Sequence, residues 1–411
     1  MLSRRTLLTG AASGAVSLGF DLTRSSASAE NAPLPLAEGL PAGAREVASL
    51  EALPGKAPLI KLTYRPPNYE TPLSYFSEPL TVNEAFFVRY HLADIPTKID
   101  PDAWRLTIGG DGAERPFQVS LAELKAMPAV ELTAVLQCSG ARRGLVAPHV
   151  PGVQWGYGAM GAAKWRGVRL KDLLSKAGLK KEAVEIVLDG MDGPVLDKTP
   201  KFVKSIPLWK ALDDNVLIAY EMNGAPLPHW NGFPARVIVP GWTGTYWMKH
   251  AISLKAVTKP FAGYWMASAY RIPVGKFPFV QHFTSQENDA TTPITEMMVN
   301  SLVTQPVEGA KVAAGAPVEV RGLVWDAGYG IAAAEVSTDG GDTFGAAGLG
   351  DDLGRFAFRT FGYRFTPTTP GRLVILVNAR NRVGQTQTRE LIPNPGGYHH
   401  NLMSRVVVEV V

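Results

Sequence analysis

The stretch AVLQCSGARR, residues 134–143, decides how the rest of the chain is read. Val130 to Leu136 is an apolar, β-branched run, the pattern of a buried strand, and it ends at Gln137-Cys138-Ser139-Gly140. Cys138 is the only cysteine among 411 residues, so a disulfide scaffold is excluded. Ser139-Gly140 break the strand beside the thiol, and Arg142 and Arg143 follow at once. Cationic neighbours favour the thiolate, which is the form that binds metal. One thiolate builds neither a zinc nor an iron–sulfur site, and without a C-x-x-C-H context this chain attaches no c-type haem by itself. His149, eleven residues on, does not fit a blue-copper loop. Two readings remain: an inert core thiol, or a ligand to a metal that takes most of its other ligands from something other than protein.

Composition narrows the class. The chain is 46% hydrophobic and 19% charged, an ordinary globular balance, and its 41 Gly and 32 Pro favour turns and short strands over long helices. Residues 1–29 carry Arg4-Arg5, an apolar stretch from Leu7 to Phe20 and a small-residue site at Ala27-Ser28-Ala29. Fourteen residues make only ~21 Å of helix, too short for a hydrocarbon core of ~30 Å. The segment therefore reads as a twin-arginine export signal, which places the mature chain in the periplasm and raises the expectation of a cofactor inserted before export. Removing it lowers the formal net charge from +4 to +2. That near-neutral balance, with no Lys/Arg block, argues against nucleic-acid binding, and no later apolar run is long enough to span a membrane.

Residues 30–60, with Pro33, Pro35, Pro41 and Pro54 among them, read as an extended arm. A mixed α/β body spans 61–290. Val82 to Ile95 reads as a strand carrying FFVRYHL, Ser120 and Glu123 form a capping box for LAELKAMP, and Val168 to Ala177 is a helix stopped by Gly178. Further strands are expected at 184–188, 216–220 and 235–239. From 291 the pattern changes to short alternating strands with an Asp339-Gly340-Gly341 hairpin turn, the rhythm of an immunoglobulin-like β-sandwich over 291–411. The fold class is thus α+β followed by an all-β domain.

AVLQCSGARR, followed by WGYGAMGAAKWRGVRLKDLL at 155–174, closely resembles the molybdenum-cofactor domain of the sulfite oxidase family. FFVRYHL (86–92) resembles that family's R-x-H segment, and GFPARVIVPGWTGTYWMKH (232–250) its cofactor-binding stretch. The C-terminal sandwich is similar to the family's second, dimerisation-type domain. With its leader, its lack of a cytochrome domain and Ala-Tyr-Arg-Ile-Pro at 269–273, the chain resembles most the molybdenum subunit of bacterial periplasmic sulfite dehydrogenases.

The resemblance implies a molybdenum-molybdopterin cofactor with Cys138 on the metal. It implies oxidation of sulfite to sulfate, with electrons passed singly to a separate c-type cytochrome, as a heterodimer with that cytochrome or as a homodimer. Arg89 and His91, two apart in an apolar run, face one side of a strand; the resemblance gives Arg89 the oxyanion and His91 the pterin. It gives Arg143, Trp155 and Tyr270 the substrate, and Ser139, Arg236 and Lys249 the cofactor, the last two its phosphate. Arg142 is the likelier surface arginine of the pair, and His282, His399 and His400 are expected on the surface.

Two departures stand out. Trp230-Asn231 replaces an Asp-His of vertebrate and plant members, so Asn231 takes the place of a cofactor-binding histidine. Gly330, in WDAGYG, stands where animal members bring a pocket arginine from the second domain, so the pocket is expected to have one positive charge fewer or to recover it elsewhere. Two rival readings are a sulfane dehydrogenase subunit of a thiosulfate-oxidising complex, or another oxyanion or sulfoxide molybdoenzyme of this fold, and an exported binding module with an inert Cys138.

Overall fold

The computed structural model describes residues 50–274 and 290–411. The expected export signal, the first part of the arm and His282 lie outside the described residues. The end of the arm is built into a sheet: Leu50–Ala52, Pro58–Thr63, Asn68–Glu70 and Val88–Arg89 pair in that order, all antiparallel. FFVRYHL is therefore a strand only at Val88–Arg89, shorter than the apolar run suggests, because only those two residues find a partner edge.

Two larger sheets form the body. Ala129–Gln137 pairs along its whole length with Met160–Arg169, which pairs with Leu217–Met222, and Arg236–Ile238 joins the far side. The other sheet runs in the order Val203–Pro207, Glu185–Gly190, Ala251–Val257, Arg105–Gly109, Phe117–Ser120. The helices are short. Leu121–Ala126 starts with the expected capping box, Glu123 N donating to Ser120 Oγ at 3.2 Å and Ser120 N to a Glu123 carboxylate oxygen at 2.8 Å. Leu170–Ala177 buries Leu170, Leu173 and Leu174, the i, i+3, i+4 face, and stops at Gly178 in a positive-φ conformation.

The C-terminal domain packs two sheets face to face around Val320, Val324, Ile375, Val377 and Val408. Thr291–Pro293 lies on the sandwich side of the sequence boundary, yet it pairs with Arg271–Pro273 of the body. The two domains share a further core in which Phe76, Val135 and Met160 meet Leu302, Trp325 and Phe358.

Arg142 sits in that junction and corrects the expectation of a surface residue. It is buried, in a left-handed turn, and donates from Nη1 to Asn300 Oδ1 at 2.5 Å and from Nη2 to the Ser301 carbonyl. Its guanidinium also lies against the Tyr157 and Trp325 rings, 5.2 and 5.7 Å from their centroids. His400 is likewise buried and His399 half-buried, and burial holds both imidazoles down at about 4. Arg142→Ala removes two buried charge-assisted hydrogen bonds and the packing against two aromatic rings at the junction, so it is expected to destabilise the protein by about 3 kcal/mol. Thermal unfolding checks this, and a melting temperature equal to wild type would contradict it.

Candidate active site

The Cys138 strand ends where three other segments converge. Cys138 N donates to Ala159 O at 2.9 Å, and Ala141 N closes a turn onto Cys138 O at 3.0 Å, so the thiol is presented by a backbone pinned on both sides. Ser139 Oγ donates to Thr243 Oγ1 at 2.9 Å, tying the turn to the 232–250 segment. Glu70, buried in the N-terminal sheet, accepts from Gly156 N at 2.7 Å and Gly158 N at 2.9 Å and so fixes the Trp155 loop.

A cleft of about 590 Å³ opens here. Eight of the ten residues singled out from sequence line it: Arg89, His91, Cys138, Ser139, Asn231, Arg236, Lys249 and Tyr270. Arg143 and Trp155 lie behind it. Trp155 is fully buried, packs edge-on to Phe87 of the lining with ring centroids 6.3 Å apart, and leaves its indole N–H without a partner. Arg143 lies across Gly140, where a side chain would collide with the guanidinium. Its Nε donates to Gly396 O at 2.7 Å and its Nη1 to Val153 O at 3.0 Å.

The arrangement is cationic and largely buried. Lys249 donates to Arg89 O at 2.8 Å with its ammonium 4.1 Å from the centre of the Tyr90 ring. Arg236 donates to Asn231 O at 2.9 Å and Trp247 O at 2.8 Å, while its Nε and the nearby Thr245 hydroxyl have no partner. Burial pulls Lys249 down to about 7, against the pull of Asp192, with Arg236 and Arg89 adding to the effect. Asp192 is the one carboxylate in the lining, and burial raises it despite Lys249.

His91 shares a hydrogen bond with the Tyr270 phenol and stacks on Phe202, centroids 3.7 Å apart. Burial first, and then the charges of Arg89, Lys249, Lys204 and Arg143, hold His91 well below its usual value, so it stays neutral. Burial likewise raises Tyr270, keeping the phenol protonated although Arg89 and Arg143 oppose this. Tyr270 has φ +58°, a strained conformation for a non-glycine residue, and is held there by Ile294 N donating to its carbonyl at 2.8 Å.

Several contributors were not apparent from sequence. Lys56, from the N-terminal hairpin, is buried and donates to Asn83 O at 2.7 Å, Phe86 O at 3.0 Å and Asn231 Oδ1. Asn231 Nδ2 donates to Phe87 O at 3.1 Å, so this amide is already engaged with protein on both sides. Lys204 is fully buried with its ammonium 5.2 Å from the Tyr270 ring centroid. Gly330 is not at the cleft: its loop packs near Arg382. The sandwich segment that does reach Arg143 is Gly396–Tyr398, which corrects the place expected for the second domain's contribution.

A largely buried group of arginines and lysines with one carboxylate is costly on its own, and a bound anion offsets that cost. The orphaned Arg236 Nε and Thr245 hydroxyl supply donors, Arg236 and Lys249 supply charge for a phosphate, and Cys138 supplies a sulfur ligand. That donor set fits a molybdenum–pterin group with a phosphate tail.

Comparison with known proteins agrees. Residues 92–265 match the family model described as "Oxidoreductase molybdopterin binding domain". The chain is 36% identical over 306 residues to mitochondrial sulfite oxidase of Macaca fascicularis, covering 72% of this chain and 54% of that one. It is 28% identical over 316 residues to sulfite oxidase of Arabidopsis thaliana, covering 74% and 79%. The chain thus spans about half the length of the mammalian relatives it matches. The crystal structure of the sulfane dehydrogenase SoxCD from Paracoccus pantotrophus superposes with a TM-score of 0.72 over 91% of this chain and 95% of that one; at 22% identity this is a likeness of fold.

Proposed function

Because this chain belongs to the sulfite oxidase family, we propose that it oxidises sulfite to sulfate in the periplasm and passes the electrons one at a time to a separate c-type cytochrome. The overall change is sulfite plus water to sulfate, two protons and two electrons. The observation that carries the reading is the set of cations at the free Cys138 thiol: half-buried Arg89 and Lys249 and buried Arg236 line the cleft with it and with a single carboxylate, and buried Arg143 lies behind.

When bound, the molybdenum–pterin group supplies oxygen-atom transfer and the two-electron redox step. Cys138 would hold the metal, with Arg236, Lys249 and the Thr245 hydroxyl taking the phosphate end. The chain's own residues position and stabilise the substrate. Arg89, whose Nη1 donates to Asn68 Oδ1 at 3.0 Å and to the Tyr90 carbonyl, lines the cleft. The Tyr270 phenol, protonated, donates to an oxyanion, while neutral His91, hydrogen-bonded to the phenol oxygen through Nε2, fixes its direction. Donors preset in a water-poor cleft need no reorganisation as charge shifts.

Oxidation of a sulfane sulfur is the alternative on this fold. One observation favours it: the sandwich brings an aromatic ring and a carbonyl, not a cation, to Arg143. Molybdenum analysis with sulfite-dependent cytochrome c reduction separates the two. About one molybdenum per chain with rapid sulfite turnover is expected; molybdenum without sulfite turnover would move the substrate to the alternative.

A further inference from the structure

The turn Asn394–Tyr398 belongs to the sandwich, yet it ends inside the catalytic body. Asn394 clamps it, its Nδ2 donating to Tyr398 O at 2.7 Å and its Oδ1 accepting from Tyr398 N at 2.9 Å. Gly397, at φ +58°, comes so close to the body that a Cβ there would stand 2.6 Å from Val150 and 3.0 Å from Arg143. Glycine at this point lets the two domains touch, and the next residue is delivered into the contact.

That residue is Tyr398. Its buried ring stacks on Tyr270, centroids 5.6 Å apart and planes 15° from parallel. The same ring lies 5.4 Å from the Arg143 guanidinium carbon. Arg143 and Tyr270, both assigned to the anion, thus rest against one ring that neither their own segments nor the cofactor segment supplies. With Nε and one Nη1 hydrogen committed to carbonyls, Arg143 offers an anion only its remaining N–H groups, and the Tyr398 ring limits the direction in which they point.

We propose that Tyr398 is a specificity-determining, positioning residue of the cleft: carried in by the sandwich, it aligns Arg143 and Tyr270 together and so sets the oxyanion the site accepts. This rests on the oxyanion reading above. The sandwich is then part of the site and not only a packing domain.

The test compares wild type, Tyr398→Phe, Tyr398→Leu and Tyr398→Ala as molybdenum-loaded proteins. Sulfate affinity is read by calorimetry, and KM and kcat with sulfite. Losing a buried cation–aromatic contact should weaken sulfate binding and raise KM about tenfold in the Leu and Ala variants, with kcat changed far less. The Phe variant keeps the ring and should stay within about twofold of wild type. A merely structural role would lower melting temperature and leave the KM-to-kcat split in place. Wild-type sulfate affinity and KM in folded Leu or Ala variants would overturn the proposal. A wild type that binds sulfate without oxidising sulfite would refute the substrate reading, and the sulfate affinities alone would then decide on Tyr398.

Discussion

Cys138→Ser is expected to lose sulfite oxidation by at least about a thousandfold, ~4 kcal/mol of barrier, while the fold stays intact. The reasons for the two halves are separate. The turn that presents residue 138 is held by backbone bonds, Cys138 N to Ala159 O and Ala141 N to Cys138 O, which serine preserves. The side chain is buried and serine is close in size, so the stability change should be about 1 kcal/mol and the melting temperature should move only a few degrees. What serine cannot reproduce is a soft, anionic sulfur ligand at neutral pH. Activity assays normalised to molybdenum content check the result. A folded variant keeping more than about a tenth of wild-type activity would make Cys138 a core thiol and remove the centre from this site.

How much of this was legible beforehand depends on whether the signal was local. Arg89 and His91 announce themselves because polar residues interrupt an apolar run, Cys138 because it is the lone cysteine at a strand end, and the 232–250 stretch through the family resemblance; Arg89, His91, Cys138, Arg236 and Lys249 all line the cleft. The capping box at Ser120 was legible for the same reason, since its two partners are three residues apart. Arg142 was misplaced because a left-handed turn at φ 67° redirects it into the domain junction, and nothing in consecutive arginines signals that turn. Lys56 reaches Asn231 across 175 residues, and Arg143 meets Gly396 across 253. Such pairs are created by sheet packing and domain contact, so the pairing is not visible in the sequence around either partner.

Lys249→Met should act in opposite directions on the cofactor-free and cofactor-loaded protein. Without an anion in the cleft, Lys249 is buried near Arg236 and Arg89 and is pulled down to about 7, chiefly by burial. Lys56 and Lys204 are also brought to about 7, again by burial. A lysine with a folded value near 7 and an unfolded value near 10.5 binds fewer protons when folded across that interval. Stability of the cofactor-free protein therefore rises with pH from about 7 toward about 10, and the full penalty of the buried charge is present below 7. Methionine keeps the packing against Tyr90 and removes the charge, so the cofactor-free variant should melt higher than wild type at pH 7, with the pH slope reduced by about a third, one lysine of three. The loaded protein should do the reverse. A phosphate held by Arg236 and Lys249 repays the burial of both cations, so losing one should loosen it by at least about tenfold and lower the molybdenum retained through dialysis. Melting curves from pH 6 to 9 on cofactor-free protein, beside metal analysis of loaded protein, measure both arms. A variant that melts below wild type at pH 7 with an unchanged slope would show that the charge is not the penalty, and unchanged retention would show that it is not the reward. The opposed signs separate a cation kept for a ligand from one kept for the fold, because a purely structural lysine would weaken both states together.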